Sequence, residues 1–345
     1  MEKTILVTGG TGYIGSWIVK DLLEKGYIVR LTVRNKNKRS KYQHLLEIEK
    51  KTGSKLEIWE ADLLNPGSYD EVAKGCDAVI HTASPFILNV KNPQKQLIDP
   101  ALKGTENVLN AAVKSGTVKK IVLTSSVAAI FGDNIDMKEQ GLSEFTEEQF
   151  NKSSSVTHQP YSYSKVLAEK AAWKIHGEQK MWKLVVINPS FVMGPSLIAS
   201  SDSESLKLMK DLLTGRYRMG VPELMFGFVD VRDVAKAHVL ALENKKAEGR
   251  YILSERTLGI YGFAELIREK YGNQFRLPVM KAPKFMLYLT GWMFGFSLKY
   301  VHRNIGHRIQ LNTGKSRNQL GLSYIPLETT IDDMITQMRA SKIIG

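Results

Sequence analysis

The sequence predicts an α/β protein: a doubly wound parallel sheet with a smaller lobe on its C-terminal side. Three observations carry this. Short apolar runs alternate with amphipathic stretches of helical period through the first 190 residues. A glycine-rich turn, VTGGTGYIG, joins the first apolar run to the first amphipathic stretch. No repeat, low-complexity tract or Pro/Ser-rich linker breaks the alternation.

The elements follow in order. TILVTG reads as a strand and GYIGSWIVKDLLEKG as an amphipathic helix that ends in glycine. YIVRLTVR is a strand and KYQHLLEIEKKTG a helix; KLEIWEAD is a strand and PGSYDEVAKG a short helix. CDAVIHTAS is a strand and LIDPALKGTENVLNAAVKSG a helix. VKKIVLTSS, the helix YSYSKVLAEKAAWKIHGEQ and the strand WKLVVINPS complete the series. The strand runs are short and apolar, as expected of strands buried on both faces.

Beyond Pro189 the pattern loosens. FVMGPSLIAS and the segment to about Met225 read as loop and helix, and FGFVDVRDVAKAHVLALEN as a strand and helix that rejoin the first layer. The predicted organisation is a first domain over 1–190, rejoined by about 226–248, and a substrate-covering lobe from 191–225 and 249–345. FMLYLTGWMFGFSL, 285–298, carries two glycines and is shorter than the roughly 18 apolar residues of a membrane span. It reads as a buried or site-covering helix, with a membrane-surface helix as the lesser alternative.

The 345 residues allow one large domain or two at roughly 150 residues per domain, and a hydrophobic content of 43% supports a sizeable core. The single cysteine, Cys76, excludes an internal disulfide framework and fits a reducing compartment. The N-terminus passes straight into a strand with no leader pattern, so a cytoplasmic protein is expected. A net charge of +13 attracts anions, yet no nucleic-acid motif accompanies it. The expected partner is a small molecule, without nucleic acid or stable membrane insertion, and the expected state a monomer or homodimer.

VTGGTGYIG spaces Gly9, Gly12 and Gly15 three apart, immediately after a strand and opening a helix. A tight turn and a close backbone approach to a pyrophosphate both need residues without a Cβ, and the helix N-terminus supplies unpaired N–H groups. The loop therefore points to a dinucleotide. An NAD site commonly has an Asp or Glu at the end of the second strand. Here Arg34 ends that strand, followed by Lys36, Lys38, Arg39 and Lys41, and cations facing a 2′-phosphate favour NADP(H). Asp62, past the third strand, is a candidate acceptor for an adenine amino group, with a plain loop carboxylate or a helix cap as the equal alternative. Thr82, Ala83 and Ser84 sit at the carboxyl edge of the fourth strand, where ligands bind in open α/β sheets. His81 lies within that strand and reads as a packed histidine.

Ser125 and Ser126 end the fifth strand at the same edge. In PYSYSKVLAEKAAW, Tyr161 and Lys165 are four apart and share a helix face, while Tyr163 points elsewhere. A phenol with pKa near 10 is a poor acid or base at neutral pH. A neighbouring ammonium stabilises the phenolate and lowers that pKa. Together with a serine hydroxyl, this pair makes a proton-transfer set for hydride chemistry at a carbonyl.

At this point the chain resembles the extended short-chain dehydrogenase/reductases, and among them the branch of plant dihydroflavonol and cinnamoyl-CoA reductases and microbial carbonyl reductases. The resemblance spans nearly the whole chain. It rests on VTGGTGYIGSWIVKDLLEKGY, DLLNPGSYDEVAKGCDAVIHTASP, YSYSKVLAEKAAW, NPSFVMGP and FVDVRDVAKAHVLALE. It implies a Rossmann-type fold. It puts the family's Tyr-x-x-x-Lys on Tyr161 and Lys165, and the family serine on Ser126, 35 residues before Tyr161. The flavonoid branch contacts the 2′-phosphate with an arginine of strand two and a lysine seven residues on, which match Arg34 and Lys41. The resemblance thus implies NADPH/NADP+ as cofactor. Its expected site holds Gly9, Thr11, Gly12, Tyr13, Ile14, Gly15, Arg34, Lys41, Asp62, Leu63, Thr82, Ala83, Ser84, Lys165 and Pro189.

The chain departs from the plant enzymes in two places. The flavonoid branch often has an asparagine five residues after the serine, where this chain has Phe131. The cinnamoyl-CoA signature Asn-Trp-Tyr-Cys-Tyr-Gly-Lys is replaced by HQPYSYSK. Both departures point away from the two plant substrates. Pro85, Phe86, Phe131 and Phe191 are the candidates for an apolar substrate pocket. The expected activity is NADPH-dependent reduction of an aldehyde or ketone, with Tyr161 as general acid, Lys165 as its activator and Ser126 holding the carbonyl oxygen. The alternatives are a nucleotide-sugar epimerase or dehydratase with tightly held NAD, and a non-enzymatic NADP-sensing regulator. No metal site is expected.

Overall fold

The computed structural model describes residues 3–84, 91–198 and 203–344. The first half alternates as the periodicity predicts. In order come β1 (Thr4–Thr8), α1 (Tyr13–Glu24), β2 (Ile28–Val33), α2 (Gln43–Thr52), β3 (Leu56–Glu60), α3 (Asp70–Ala73), β4 (Ala78–His81) and α4 (Asp99–Ser115). Then follow β5 (Lys120–Thr124), α5 (Asp136–Glu139), α6 (Pro160–Gly177), β6 (Lys183–Pro189), β7 (Phe191–Met193) and α7 (Glu204–Thr214). The second half adds β8 (Val221–Pro222), β9 (Met225–Asp230), α8 (Val231–Glu243), β10 (Gly249–Leu253), β11 (Arg256–Gly259) and α9 (Ile260–Tyr271). It ends with β12 (Lys281–Ala282), α10 (Lys284–Thr290), α11 (Leu298–Asn304), α12 (Gly314–Leu320) and α13 (Leu327–Ala340).

Among the described residues, seven strands form one sheet in the order β3-β2-β1-β4-β5-β6-β10, and each adjacent pair is parallel. The strand order reverses between β1 and β4, which opens a crevice at their carboxyl ends. Side chains alternate across the sheet. Ile5 and Val7 of β1 join one core with Ile18, Leu22 and Leu23 of α1 and Val234 of α8, while Leu6 joins the opposite core with Val108 and Leu109 of α4. Both faces are therefore covered, which is why these strands carry no polar period.

The C-terminal half corrects three expectations. Phe191–Met193, expected in a loop, is the strand β7. The FGFVD strand does not rejoin the main sheet. As β9 it lies in a separate three-stranded sheet, parallel to β7 and antiparallel to β11. Its Phe228 packs with Phe263, Leu212 and Met334 from α9, α7 and α13 instead. The segment that does rejoin the main sheet is β10, assigned from sequence to the lobe. Tyr251 and Leu253 of β10 join the core beside α8. Five residues are too few for their burial on both faces to stand out in sequence.

The 285–298 stretch is also not a buried helix. Leu287 is buried, but Phe285, Leu289 and Trp292 are 66%, 72% and 75% exposed. No helix among the described residues is long and apolar enough to cross a membrane.

Candidate active site

The glycine loop sits where β1 meets α1. Gly9 adopts φ +70°, a conformation that L side chains rarely enter, and its carbonyl accepts from the N–H of Gly12 at 2.9 Å. A Cβ on Gly15 would lie 2.2 Å from that same carbonyl oxygen, and one on Gly9 would lie 2.7 Å from the backbone nitrogen of Ala83. The loop thus requires both glycines, and it abuts the end of β4. The Thr82 hydroxyl donates to the Thr8 carbonyl at 2.7 Å, and the Ala83 N–H to the Thr8 hydroxyl at 3.3 Å. Gly12 caps α1 without a side-chain hydrogen bond, so Thr11, Tyr13 and Ile14 flank a helix N-terminus with free donors. Tyr13 itself reaches the lobe, its hydroxyl donating to the Gly194 carbonyl at 2.6 Å.

Arg34 directly follows β2, and Lys41 ends a short 3-10 turn, Arg39–Lys41. Both are exposed, and neither has an ion-pair partner among the described residues. Nearby, Glu60 accepts from the Lys36 backbone N–H at 3.1 Å, the Lys36 ammonium lies 6.0 Å from the Trp59 ring centre, and Lys38 is likewise exposed without an ion-pair partner among the described residues. Asp62 uses one carboxylate oxygen to accept from the Leu64 N–H at 2.9 Å, a local turn. Leu63 backs onto α4, close enough that a Cβ on Gly104 would meet its Cβ at 3.1 Å.

The catalytic candidates converge on the same crevice. Ser126 leaves β5 in extended backbone and starts a 3-10 turn, its Oγ accepting from the Ala128 N–H at 3.1 Å. Its hydroxyl also hydrogen-bonds the Tyr161 phenol. Burial pushes that phenol up to about 12, against the lowering effect of the Ser126 bond. The Lys165 ammonium lies 5.8 Å from the centre of the Tyr161 ring. Burial brings Lys165 down to about 8, partly offset by the Glu169 carboxylate. Lys165, Ala83, Ser84, Ser125 and Glu169 line one small cavity. His81 is packed, as read: its Nδ1 lies 2.6 Å from the Thr8 hydroxyl, and burial lowers it to about 3.

The two serines separate by partner. Ser125 turns inward, its hydroxyl donating to Glu169 Oε2 at 2.5 Å, while Ser126 remains half-exposed toward Tyr161. Glu169 was absent from the sequence candidates. It is 1% exposed, accepts from Asn188 Nδ2 at 2.9 Å and lies 2.6 Å from Arg250 Nε. Asn188, beside Pro189 at the end of β6, also donates to the Ser126 carbonyl at 3.0 Å. A carboxylate one turn after the lysine, and an asparagine closing an apolar strand, were the available signals.

A second buried carboxylate was also missed. Asp133 is 0% exposed and accepts from His158, Gln159, Asn304 and Arg303. It ties the loop before α6, where Gln159 takes φ +54°, to α11. Arg303 holds the Asp133 carboxyl below the usual range, together with Asn304 and His158, against the raising effect of burial.

On the substrate side the aromatic candidates divide. Phe131 is 9% exposed and stacks on Phe145, ring centres 4.4 Å apart, in a cluster with Ile252 and Leu311. Phe191 is half-buried, 5.6 Å from Phe226 and 6.1 Å from Phe228 by ring centres. Pro85 and Phe86 lie outside the described residues.

The model of the NAD dependent epimerase/dehydratase family matches residues 5–253, which cover the main sheet through β10. Cinnamoyl-CoA reductase CAD2 of Medicago truncatula is 38% identical over 350 residues, spanning 99% of this chain and 97% of that one. Tetraketide alpha-pyrone reductase 2 of Arabidopsis thaliana is 42% identical over 276 residues, 78% of this chain and 83% of that one. Among solved structures, yeast methylglyoxal/isovaleraldehyde reductase Gre2 complexed with NADPH superposes with a TM-score of 0.81 at 28% identity, over 99% of this chain and 100% of that one. By its sheet order, its glycine loop and these matches, the chain belongs to the NAD dependent epimerase/dehydratase family, the extended short-chain dehydrogenase/reductases.

Proposed function

We propose that the protein reduces an aldehyde or ketone to the alcohol with NADPH. One arrangement carries the reading: Tyr161 and Lys165 on one face of α6, with Ser126 hydrogen-bonded to the phenol, beside the crevice of β1 and β4. The residues fit the cofactor. The Gly9–Gly15 cradle has no room for Cβ atoms and suits a pyrophosphate on the α1 N-terminus. Arg34 and Lys41, exposed and without acidic partners among the described residues, suit a 2′-phosphate. The relatives are named as reductases, one of them complexed with NADPH, and this supports the same reading.

When bound, NADPH supplies the hydride for the carbonyl carbon. Tyr161 donates its proton to the carbonyl oxygen. The Ser126 hydroxyl donates to the same oxygen and stabilises the charge that develops there. Lys165, charged below a pH of about 8, stabilises the phenolate left behind. Glu169 keeps Ser125 turned away, and Asn188 holds the Ser126 backbone in place.

A screen of NADPH oxidation across aldehydes, diketones, ketoesters and flavanonols, with NADH in parallel, tests this. Turnover with NADPH on at least one class is expected. Protein that retains NAD through purification and turns over none of them would point to an epimerase instead.

A further inference from the structure

The stretch from Val279 to Leu298 holds nine of the twelve exposed large apolar side chains of the described residues. The exposure is built in rather than incidental. α10 and α11 are each anchored by an inner apolar face: Leu287, Val301 and Ile305 pack with Leu224, and Phe296 stacks on Tyr300 with ring centres 5.2 Å apart. An ordinary surface helix is polar on its other side. Here the outer side is apolar too, with Phe285, Leu289, Trp292, Met293, Phe294 and Leu298 each at least 64% exposed. A contiguous patch of this kind marks an interaction surface.

The charge around it identifies the partner. Between Glu269 and Glu328 the chain has no Asp or Glu and nine Lys or Arg, of which Lys270, Lys281 and Arg303 pair with acids from other segments. Lys299, next to Leu298, and Arg308, in the loop leaving α11, are exposed and have no acidic partner among the described residues. A second copy docked here by two-fold symmetry would press this basic surround against itself. An anionic lipid surface meets both halves of the pattern. Trp and Phe favour the depth between headgroup and acyl chain, and Lys and Arg favour the acidic headgroups.

We propose that residues 284–299 dock the protein on anionic phospholipid bilayers, lying in the interface without spanning it. The inference does not depend on the reaction proposed above.

The test is sedimentation of the full-length protein with phosphatidylcholine vesicles, with and without phosphatidylserine. Wild type is expected to pellet with the phosphatidylserine vesicles, less with phosphatidylcholine alone, and less as salt rises. Phe285→Ser with Trp292→Ser and Phe294→Ser should lower the bound fraction by about tenfold or more. These side chains are exposed, so the thermal midpoint should hold. Lys299→Glu with Arg308→Glu should remove the preference for phosphatidylserine while leaving the apolar patch intact. The proposal is overturned if wild type stays in the supernatant with phosphatidylserine vesicles, or if the triple variant pellets as well as wild type. A wild-type dimer in solution that the triple variant abolishes, without vesicle binding, would assign the patch to a second copy and overturn it as well.

Discussion

Glu169→Gln tests how the charge of Lys165 is set. Glu169 lies one helical turn beyond Lys165, lines the same cavity and is 1% exposed. Burial lowers Lys165 to about 8, and the Glu169 carboxylate opposes that shift. Glutamine keeps the shape and removes the charge. It also frees the positive charge of Arg250, which acts in the same direction. An opposite charge within ~4–6 Å moves a pKa by ~1–3 units, and Arg250 already neutralises part of this one, so a drop of about one unit is expected. At pH 8 the charged fraction of Lys165 should then fall from about one half to about one tenth, a roughly fivefold loss of activity, with little change near pH 6. The assay is kcat for NADPH-dependent reduction against pH, and the alkaline limb should move to lower pH. Ser125→Ala removes a hydrogen bond to Glu169 but leaves its charge, so its limb should stay in place. Arg250 is left buried without its partner, at a cost of about 3–5 kcal/mol, so the thermal midpoint must be followed alongside. An unmoved limb in a folded Glu169→Gln protein would refute the reasoning, as would an equal shift in Ser125→Ala.

The other predictions concern the reacting groups and the cofactor cradle. Tyr161→Phe should lose about 10²–10⁴-fold in kcat while NADPH still binds, and Tyr163→Phe should keep most activity; the reverse order would break the helical-face argument. Ser126→Ala should reduce kcat more than Ser125→Ala, because only Ser126 meets the phenol, and equal losses would count against that. Arg34→Ala with Lys41→Ala should raise the NADPH KM by roughly 10²-fold or less, since both cations are exposed, and leave NADH little changed; a wild type that uses NADH equally well would return the basic loop to a solvated surface. Gly15→Ala should abolish NADPH binding in a fluorescence titration, because its Cβ falls 2.2 Å from the Gly9 carbonyl, and an unchanged affinity would mean the loop has room to give.

Much of the candidate site was legible because its residues lie close together in the chain. The Gly9–Gly15 loop, the four-residue step from Tyr161 to Lys165 and the missing acid after β2 are each contained within a few residues, where backbone geometry ties spacing directly to placement. Ser125 against Ser126 was a different matter. Both sit at one strand end, and residue spacing alone left the choice open; the family resemblance made it. In the fold, Ser125 is taken by Glu169 on α6, a partner 44 residues away.

By itself the sequence determined the alternation of strand and helix, the glycine loop that opens α1 and the placing of Tyr161 and Lys165 on one helix face, since each depends on periodicity or on contacts within a turn. The tertiary structure decided what depends on contacts distant in the chain. It placed β10 in the main sheet and β9 outside it, because short strands take their partners from whichever apolar surface is left to cover. It gave the Phe131 ring to Phe145 and set Asp133 between α6 and α11. It also turned the 285–298 stretch outward, where composition alone predicts burial: an apolar side chain stays inside only if the fold brings something to cover it.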